Sequence, residues 1–210
     1  MDKNIIEQFA KMPTGNLSDA FGKKGNMDCG IKPVFPEARM AGPAFTARLQ
    51  PGDNLGAHIA LNQAPAGSVL VLDFRGYTGA GPFGEIMALA CQQRGLAGVV
   101  INGACRDSLN IKELGFPVFV RGLNPGGTVK ESLGEMNVPV SCGGVTVNPG
   151  DIVVGDADGV VVIPQENAEA VLEKAQQIVV NEAKIMELIK AGESTMEIFK
   201  FNELIAKKKG

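Results

Sequence analysis

Residues 68–107 read SVLVLDFRGYTGAGPFGEIMALACQQRGLAGVVINGACRD, and they decide the fold class. Ser68–Phe74 is an almost unbroken apolar run, the pattern of a strand covered on both faces. Ala97–Ile101, AGVVI, is a second such run. Between them lies a glycine-rich loop, GYTGAGPFG, and then a helix that begins near Glu85 and ends near Gly95. Strand, helix and strand in this order form a parallel unit, which places the chain in the α/β class.

Working outward, 41–49 (AGPAFTARL) alternates apolar and polar residues like a strand. Pro51-Gly52-Asp53-Asn54 is a turn into a helix over about 54–63. Residues 3–12 and 17–24 read as short helices parted by Pro13-Thr14-Gly15, with Thr14 or Asn16 capping the second. Downstream, a short helix over about 108–113 leads to a strand over 117–120. From 137 to 163 several short antiparallel strands are joined by Gly, Asn-Pro-Gly and Asp-Ala-Asp-Gly turns. A long charged helix spans 166–190, Ser194 caps a final one, and the KKKG end is expected to fray. One domain over 1–210 is expected, with C-terminal helices over 166–210 packing on a neighbouring subunit.

Composition limits the function. The net charge is −3, with 20 basic and 23 acidic residues, which leaves no basic face for nucleic acid. No apolar run is long enough to span a membrane, and the opening MDKNIIEQFAKM has no signal-peptide core. A cytoplasmic protein is expected. Cys29, Cys91, Cys105 and Cys142 form no C-x-x-C pair, so they read as small buried residues in a reducing compartment.

The sharpest chemical signal is Gly103–Asp107, where a strand ends and an Arg-Asp pair is presented. Ligands of α/β folds bind outside the carboxyl ends of strands. A carboxylate there can hold Mg²⁺, which needs only one or two, and the adjacent guanidinium can grip a substrate carboxylate. The alternative is a structural ion pair or a helix cap. Gly79–Gly84 formally spells G-x-G-x-x-G, but it lies mid-chain and carries Pro82, so a dinucleotide site is disfavoured. What survives is the start of the helix at Glu85, whose Ile86 and Met87 N–H groups can take an anion. Asp53 reads as a cap, and the single histidine, His58, as a packed helix residue. With no second histidine, no G-K-[ST] and no lysine in apolar surroundings, an oxygen-liganded metal is the chemistry left to an enzyme.

FGEIMALACQQRGLAGVVINGACRDSLNIKELGFPVFVRGLNP resembles the family that joins RraA proteins with metal-dependent 4-hydroxy-4-methyl-2-oxoglutarate / 4-carboxy-4-hydroxy-2-oxoadipate aldolases. PGDNLGAHIAL and DADGVVVIP are similar to it too, so the likeness covers nearly the whole chain. It implies a swivelling-domain-type β/β/α sandwich with helical N- and C-terminal segments, assembled as trimers or paired trimers. It implies a homo-oligomer whose sites lie between subunits. By the same resemblance, Asp107 is the ligand of Mg²⁺ or Mn²⁺ and Arg106 contacts the pyruvyl group. Gly84, Glu85, Ile86 and Met87 line the substrate, and Glu85 helps order a metal-bound water. Glu182, from a neighbour's C-terminal helix, is a candidate for the surrounding shell.

The implied activity is pyruvate release from a small 2-oxo acid, with oxaloacetate decarboxylation through the same enolate. The alternative is a non-enzymatic RraA-type regulator that binds ribonuclease E. A methyltransferase label is attached to many relatives, but no cofactor pocket for it is legible. The chain departs from the aldolase pattern at Asn110, where the family has Asp or Glu, and at Glu85, where well-known aldolases have Asp. Asn110 can join the shell around the metal by hydrogen bonding but adds no charge there.

Overall fold

The computed structural model describes residues 3–209. Four parallel strands form its centre: β2 (Met40–Arg48), β3 (Val69–Tyr77), β4 (Gly98–Cys105) and β5 (Val118–Leu123). Each lies beside the next in sequence, joined by α3 (Leu55–Gln63), α4 (Glu85–Gln93) and α5 (Ser108–Leu114). Antiparallel strands extend both sides. β1 (Lys32–Pro33) pairs β5 at one edge. At the other, β9 (Ile152–Gly155) pairs the first half of β2, and β10 (Val160–Ile163) pairs β9. β6 (Glu135–Met136) pairs the end of β2, and β7 (Val140–Cys142) with β8 (Val145–Val147) forms a separate hairpin.

Alternation along the strands sorts the apolar residues into layers. Leu70, Leu72, Phe74, Val99 and Ile101 face Ala57, Ala60, Met87, Cys91 and Ile111 of the crossover helices. Val69, Val71, Val100 and Phe119 face the other way, onto Val140, Cys142 and Val147 of the β7–β8 hairpin. Beyond them, Ile152, Val154, Val161 and Ile163 are covered by Phe9 of α1 (Lys3–Phe9), Leu17 of α2 (Thr14–Ala20) and Leu172 and Ala175 of α6 (Ala168–Lys190). The result is the β/β/α sandwich of swivelling type, with helical segments at both ends.

Several local expectations need correction. β4 continues through Gly103 and Ala104 to Cys105, so the loop is only Arg106 and Asp107. Small residues suit a strand here because Gly103 lies against the Tyr77 carbonyl and the Phe74 ring. The second helix begins at Thr14, and neither Thr14 nor Asn16 caps it. Thr14 N–H and Oγ1 instead donate to the buried Asp156 carboxylate, at 2.9 and 2.7 Å. Cys29 is exposed, unlike the three other cysteines. Ser194 does cap α7 (Thr195–Ile198), through a capping box with Glu197; α8 (Phe201–Lys209) carries Lys207–Lys209 within the helix, and Gly210 lies outside the described residues.

α6 is buried only at Ala168, Val171, Leu172 and Ala175. Its far half and the following helices leave Met186, Ile189, Phe199, Leu204 and Ile205 exposed. No helix among the described residues is long and apolar enough to cross a membrane.

Candidate active site

The candidate site lies where β3, β4 and β5 end. Arg106 and Asp107 make the whole turn from β4 into α5, and that brevity has a conformational cost. Asp107 sits at φ 59°, ψ 37°, a left-handed conformation that few residues other than glycine adopt. Asp tolerates it, and a residue held there is a pointer to function.

The glycine-rich loop after β3 presses on this turn from above. Arg106 N–H donates to the Phe83 carbonyl at 2.9 Å. Glu85 N–H, at the head of α4, donates to Asp107 Oδ2 at 3.2 Å. Arg106 Nε lies 3.7 Å from the same oxygen. Gly84 stands between them with φ −150°, a conformation open to any residue. It is required by space, because a Cβ there would collide with the Asp107 carboxylate. A Cβ at Gly81 would likewise strike the Asn124 carbonyl. These glycines let backbone approach the Arg-Asp turn. Ile86 and Met87 follow Glu85 in the first turn of α4, where N–H groups have no acceptor within the helix.

Two clefts share Arg106 and Asp107. One, of about 230 Å³, is walled by Asn54, His58, Pro82, Gly84, Ile86, Met87 and Lys130 as well. The other, of about 340 Å³, adds Ser108, Leu123, Asn124 and Pro125. Asp107 is 41% exposed and Arg106 46%, so both side chains are open to a ligand.

The smaller cleft holds three residues that sequence reasoning passed over. His58 was expected to be a packed helix residue, yet it is half-buried on the cleft wall. Burial, and then the Lys130 ammonium, push its pKa below the ordinary value, so it is neutral at pH 7. Asn54 donates from Nδ2 to the Pro82 carbonyl at 3.1 Å. Its Oδ1 is the one buried side-chain oxygen or nitrogen without a partner among the described residues. The spacing of Asn54 and His58, four apart at a helix start, was the available signal. Lys130 comes from an irregular segment and had none.

Other expected residues are placed differently. Glu85 reaches the site by its N–H, while its side chain lines neither cleft. Asn110 is exposed on α5 and also lines neither. Within one chain Glu182 accepts a 2.6 Å hydrogen bond from Asn16 Nδ2, between α6 and α2. Asp53 is structural, as expected. It is buried, with Oδ1 accepting from Leu55 N–H and Oδ2 from Glu131 and Ser132 N–H at 2.7–2.9 Å. Burial pushes the Cys91 and Cys105 thiols up to about 12, helped at Cys105 by Asp107, so neither is a thiolate nucleophile at neutral pH.

The RraA-like family, described as Aldolase/RraA, matches residues 14–162. A protein of Halalkalibacterium halodurans provisionally named a 4-hydroxy-4-methyl-2-oxoglutarate aldolase is 41% identical over 174 residues, 83% of each chain. The crystal structure of an uncharacterised protein from Pseudomonas syringae pv. tomato superposes with a TM-score of 0.81 at 30% identity, covering 92% of this chain and 96% of that one. RraAS2 of Streptomyces coelicolor, an unusual member of the RNase ES inhibitor RraA protein family, gives a TM-score of 0.79 at 26% identity, covering 89% of this chain and 97% of that one. With the Arg106–Asp107 turn, the glycine loop and the layered sheet in place, these likenesses agree: the chain belongs to the RraA-like family.

Proposed function

We propose that the chain is a divalent-metal-dependent aldolase that releases pyruvate from 4-hydroxy-4-methyl-2-oxoglutarate-type 2-oxo acids and decarboxylates oxaloacetate. The observation that carries this reading is the Asp107 carboxylate. It is exposed in a cleft, set in a left-handed turn, and approached so closely by Gly84 that no side chain fits between. A carboxylate that merely capped α5 would need none of this, and Asp107 makes no side-chain capping bond there.

The donor set fits Mg²⁺ or Mn²⁺. Among the described residues no three His, Cys, Asp or Glu side chains gather as a cage. A hard cation that keeps most of its waters needs only the Asp107 carboxylate and substrate oxygens. When bound, such a cation polarises the 2-oxo group and steadies the negative charge left by carbon–carbon cleavage.

The remaining work falls to the chain's own residues. Arg106 and the Ile86 and Met87 N–H groups orient the substrate carboxylate. Lys130 and Arg106 make the smaller cleft cationic around Asp107, which suits a substrate with two carboxylates. Neutral His58, on the cleft wall, can accept a hydrogen bond from a substrate hydroxyl. Glu85 meets Asp107 through its N–H and its side chain lines neither cleft, so the family resemblance alone assigns it the orienting of a water that takes the 4-hydroxyl proton.

A second reading, an RraA-type regulator of a ribonuclease, is favoured by the likeness to RraAS2 and by the apolar rim of the clefts. Ile86 and Leu123 there are 80% and 60% exposed. Pyruvate release from 4-hydroxy-4-methyl-2-oxoglutarate and from oxaloacetate, with Mg²⁺, with Mn²⁺ and with EDTA, separates the two. The aldolase reading expects metal-dependent turnover that Asp107→Ala abolishes. Folded, metal-supplied protein inert on both substrates sinks it and leaves the regulator.

A further inference from the structure

The larger cleft is floored by Asn124, the first residue after β5, and its hydrogen bonds run toward the site rather than toward substrate. Asn124 N–H donates to the Cys105 carbonyl at 2.9 Å, just before the Arg106–Asp107 turn. Its Nδ2 donates to the Thr78 carbonyl at 2.8 Å, where the glycine loop leaves β3. Its Oδ1 accepts from Gly126 N–H at 2.7 Å. Gly126 in turn offers its carbonyl to Gly81 N–H at 2.9 Å, in the middle of the same loop.

These bonds close a circuit. From Asn124 one arm reaches the loop at Thr78, a second reaches it at Gly81 through Gly126, and a third holds the end of β4. The circuit is completed on the far side by Arg106 N–H on the Phe83 carbonyl and Glu85 N–H on Asp107 Oδ2. Among the described residues, the loop and the turn share no other backbone hydrogen bond in which β4 itself is not a partner. Both hydrogen-bonding ends of the Asn124 amide are occupied within the protein, and the side chain is half-buried.

We propose that Asn124 is the positioning residue of the site: its amide locks the glycine loop onto the Arg106–Asp107 turn and so fixes where Glu85 N–H, Arg106 and the Asp107 carboxylate meet. This deepens the reading of that turn as the reactive centre and rests on it for its kinetic part only. No shorter or apolar side chain can do both tasks. Serine at 124 can still accept from Gly126 N–H as a turn residue does, but it cannot reach Thr78.

The test compares the full-length wild type with Asn124→Ala and Asn124→Ser. Amide hydrogen exchange is followed at Gly81, Glu85 and Arg106, alongside thermal unfolding and the kcat and KM of pyruvate release with Mn²⁺. Asn124→Ala is expected to speed exchange at these three amides while the β2 and β3 amides keep their protection. Its kcat should fall on the order of 10- to 100-fold, the usual loss when a group supporting a ligand is removed. Asn124→Ser is expected to fall between it and wild type, and it serves as the variant if alanine does not fold. Wild-type exchange at the three amides in both variants overturns the proposal. So does a loosened loop with unchanged kcat. A wild-type chain that releases no pyruvate removes the aldolase reading, and the exchange comparison then decides the positioning role alone.

Discussion

Asp53 and Asp107 occupy equivalent places, each at the end of a central parallel strand where the chain turns into a crossover helix. Their surroundings are opposite. Asp53 is 3% exposed and its two oxygens accept three backbone N–H groups. Asp107 is 41% exposed, accepts one N–H at 3.2 Å, and holds a left-handed backbone. The first carboxylate is saturated by the fold and contributes stability. The second is left with acceptor capacity that the fold does not use, in a conformation that costs energy to hold. Residue type and topological position are the same, so hydrogen-bond saturation is what distinguishes the structural aspartate from the one proposed as functional.

Four substitutions break or sharpen that contrast. Asp107→Ala gives the largest effect, a loss of pyruvate release on the order of 10³-fold or more, equivalent to several kcal/mol of charge stabilisation. The same variant lowers stability by only about 1 kcal/mol, because alanine takes the left-handed conformation less readily than aspartate and the Glu85 N–H loses its acceptor. Asp53→Ala reverses the pattern. It strands the N–H groups of Leu55, Glu131 and Ser132 and costs about 3 kcal/mol of unfolding free energy, read by denaturant titration.

Acid sharpens the Asp53 prediction. Burial alone would raise its pKa, but the N–H groups of Glu131, Leu55 and Ser132, with Lys130, outweigh it and hold the carboxyl below the usual range. A carboxyl depressed by folding stabilises above its unfolded pKa, near 4, and that contribution is lost as pH falls through the lower folded value. The melting temperature of Asp53→Ala should therefore fall less steeply below about pH 4 than that of the wild type.

Gly84→Ala comes third. Its Cβ displaces the Asp107 carboxylate, so turnover drops on the order of 10- to 100-fold with little change in melting temperature, as expected for a displaced ligand. Lys130→Ala is the smallest. It raises KM for a dicarboxylic 2-oxo acid by about 10-fold, the worth of one charge-assisted contact, and leaves kcat near wild type.

The sequence shows the parallel core clearly, because residues 69–74 and 98–101 are apolar enough to leave only the buried-strand reading. It shows the Arg106–Asp107 turn for the same reason: a strand must end somewhere, and two adjacent charges end it. It does not show the end of β4, since Gly103 and Ala104 look like loop residues until Phe74 and Tyr77 are seen to crowd them. β1 and β6 are two residues each, too short for any periodicity. His58 was hidden by its solitude: nothing local says that α3 turns this residue toward a loop almost fifty positions downstream. Lys130 was hidden altogether, because it is placed by the bridge of Val129 to Asp53, a contact across the irregular segment. Local pattern reports what a residue's own element does, and the cleft is assembled from elements that never meet in sequence.

β2 carries a consequence for how the chain comes to be made. Its first half, Met40–Pro43, hydrogen-bonds with Ile152–Gly155, and its second half with Val69–Asp73. During synthesis the second half finds its partner early, while the first half waits for more than half of the polypeptide to emerge. Until then it is an uncovered strand edge, the kind of surface that recruits other nascent chains. Pro43 falls on that waiting segment and withholds a hydrogen-bond donor from any intruder. The completed sheet tolerates it, because Ala44 N–H next to it is received by the Asp151 carbonyl. A proline that looks like a flaw in a finished strand thus acts as a guard over an unfinished one.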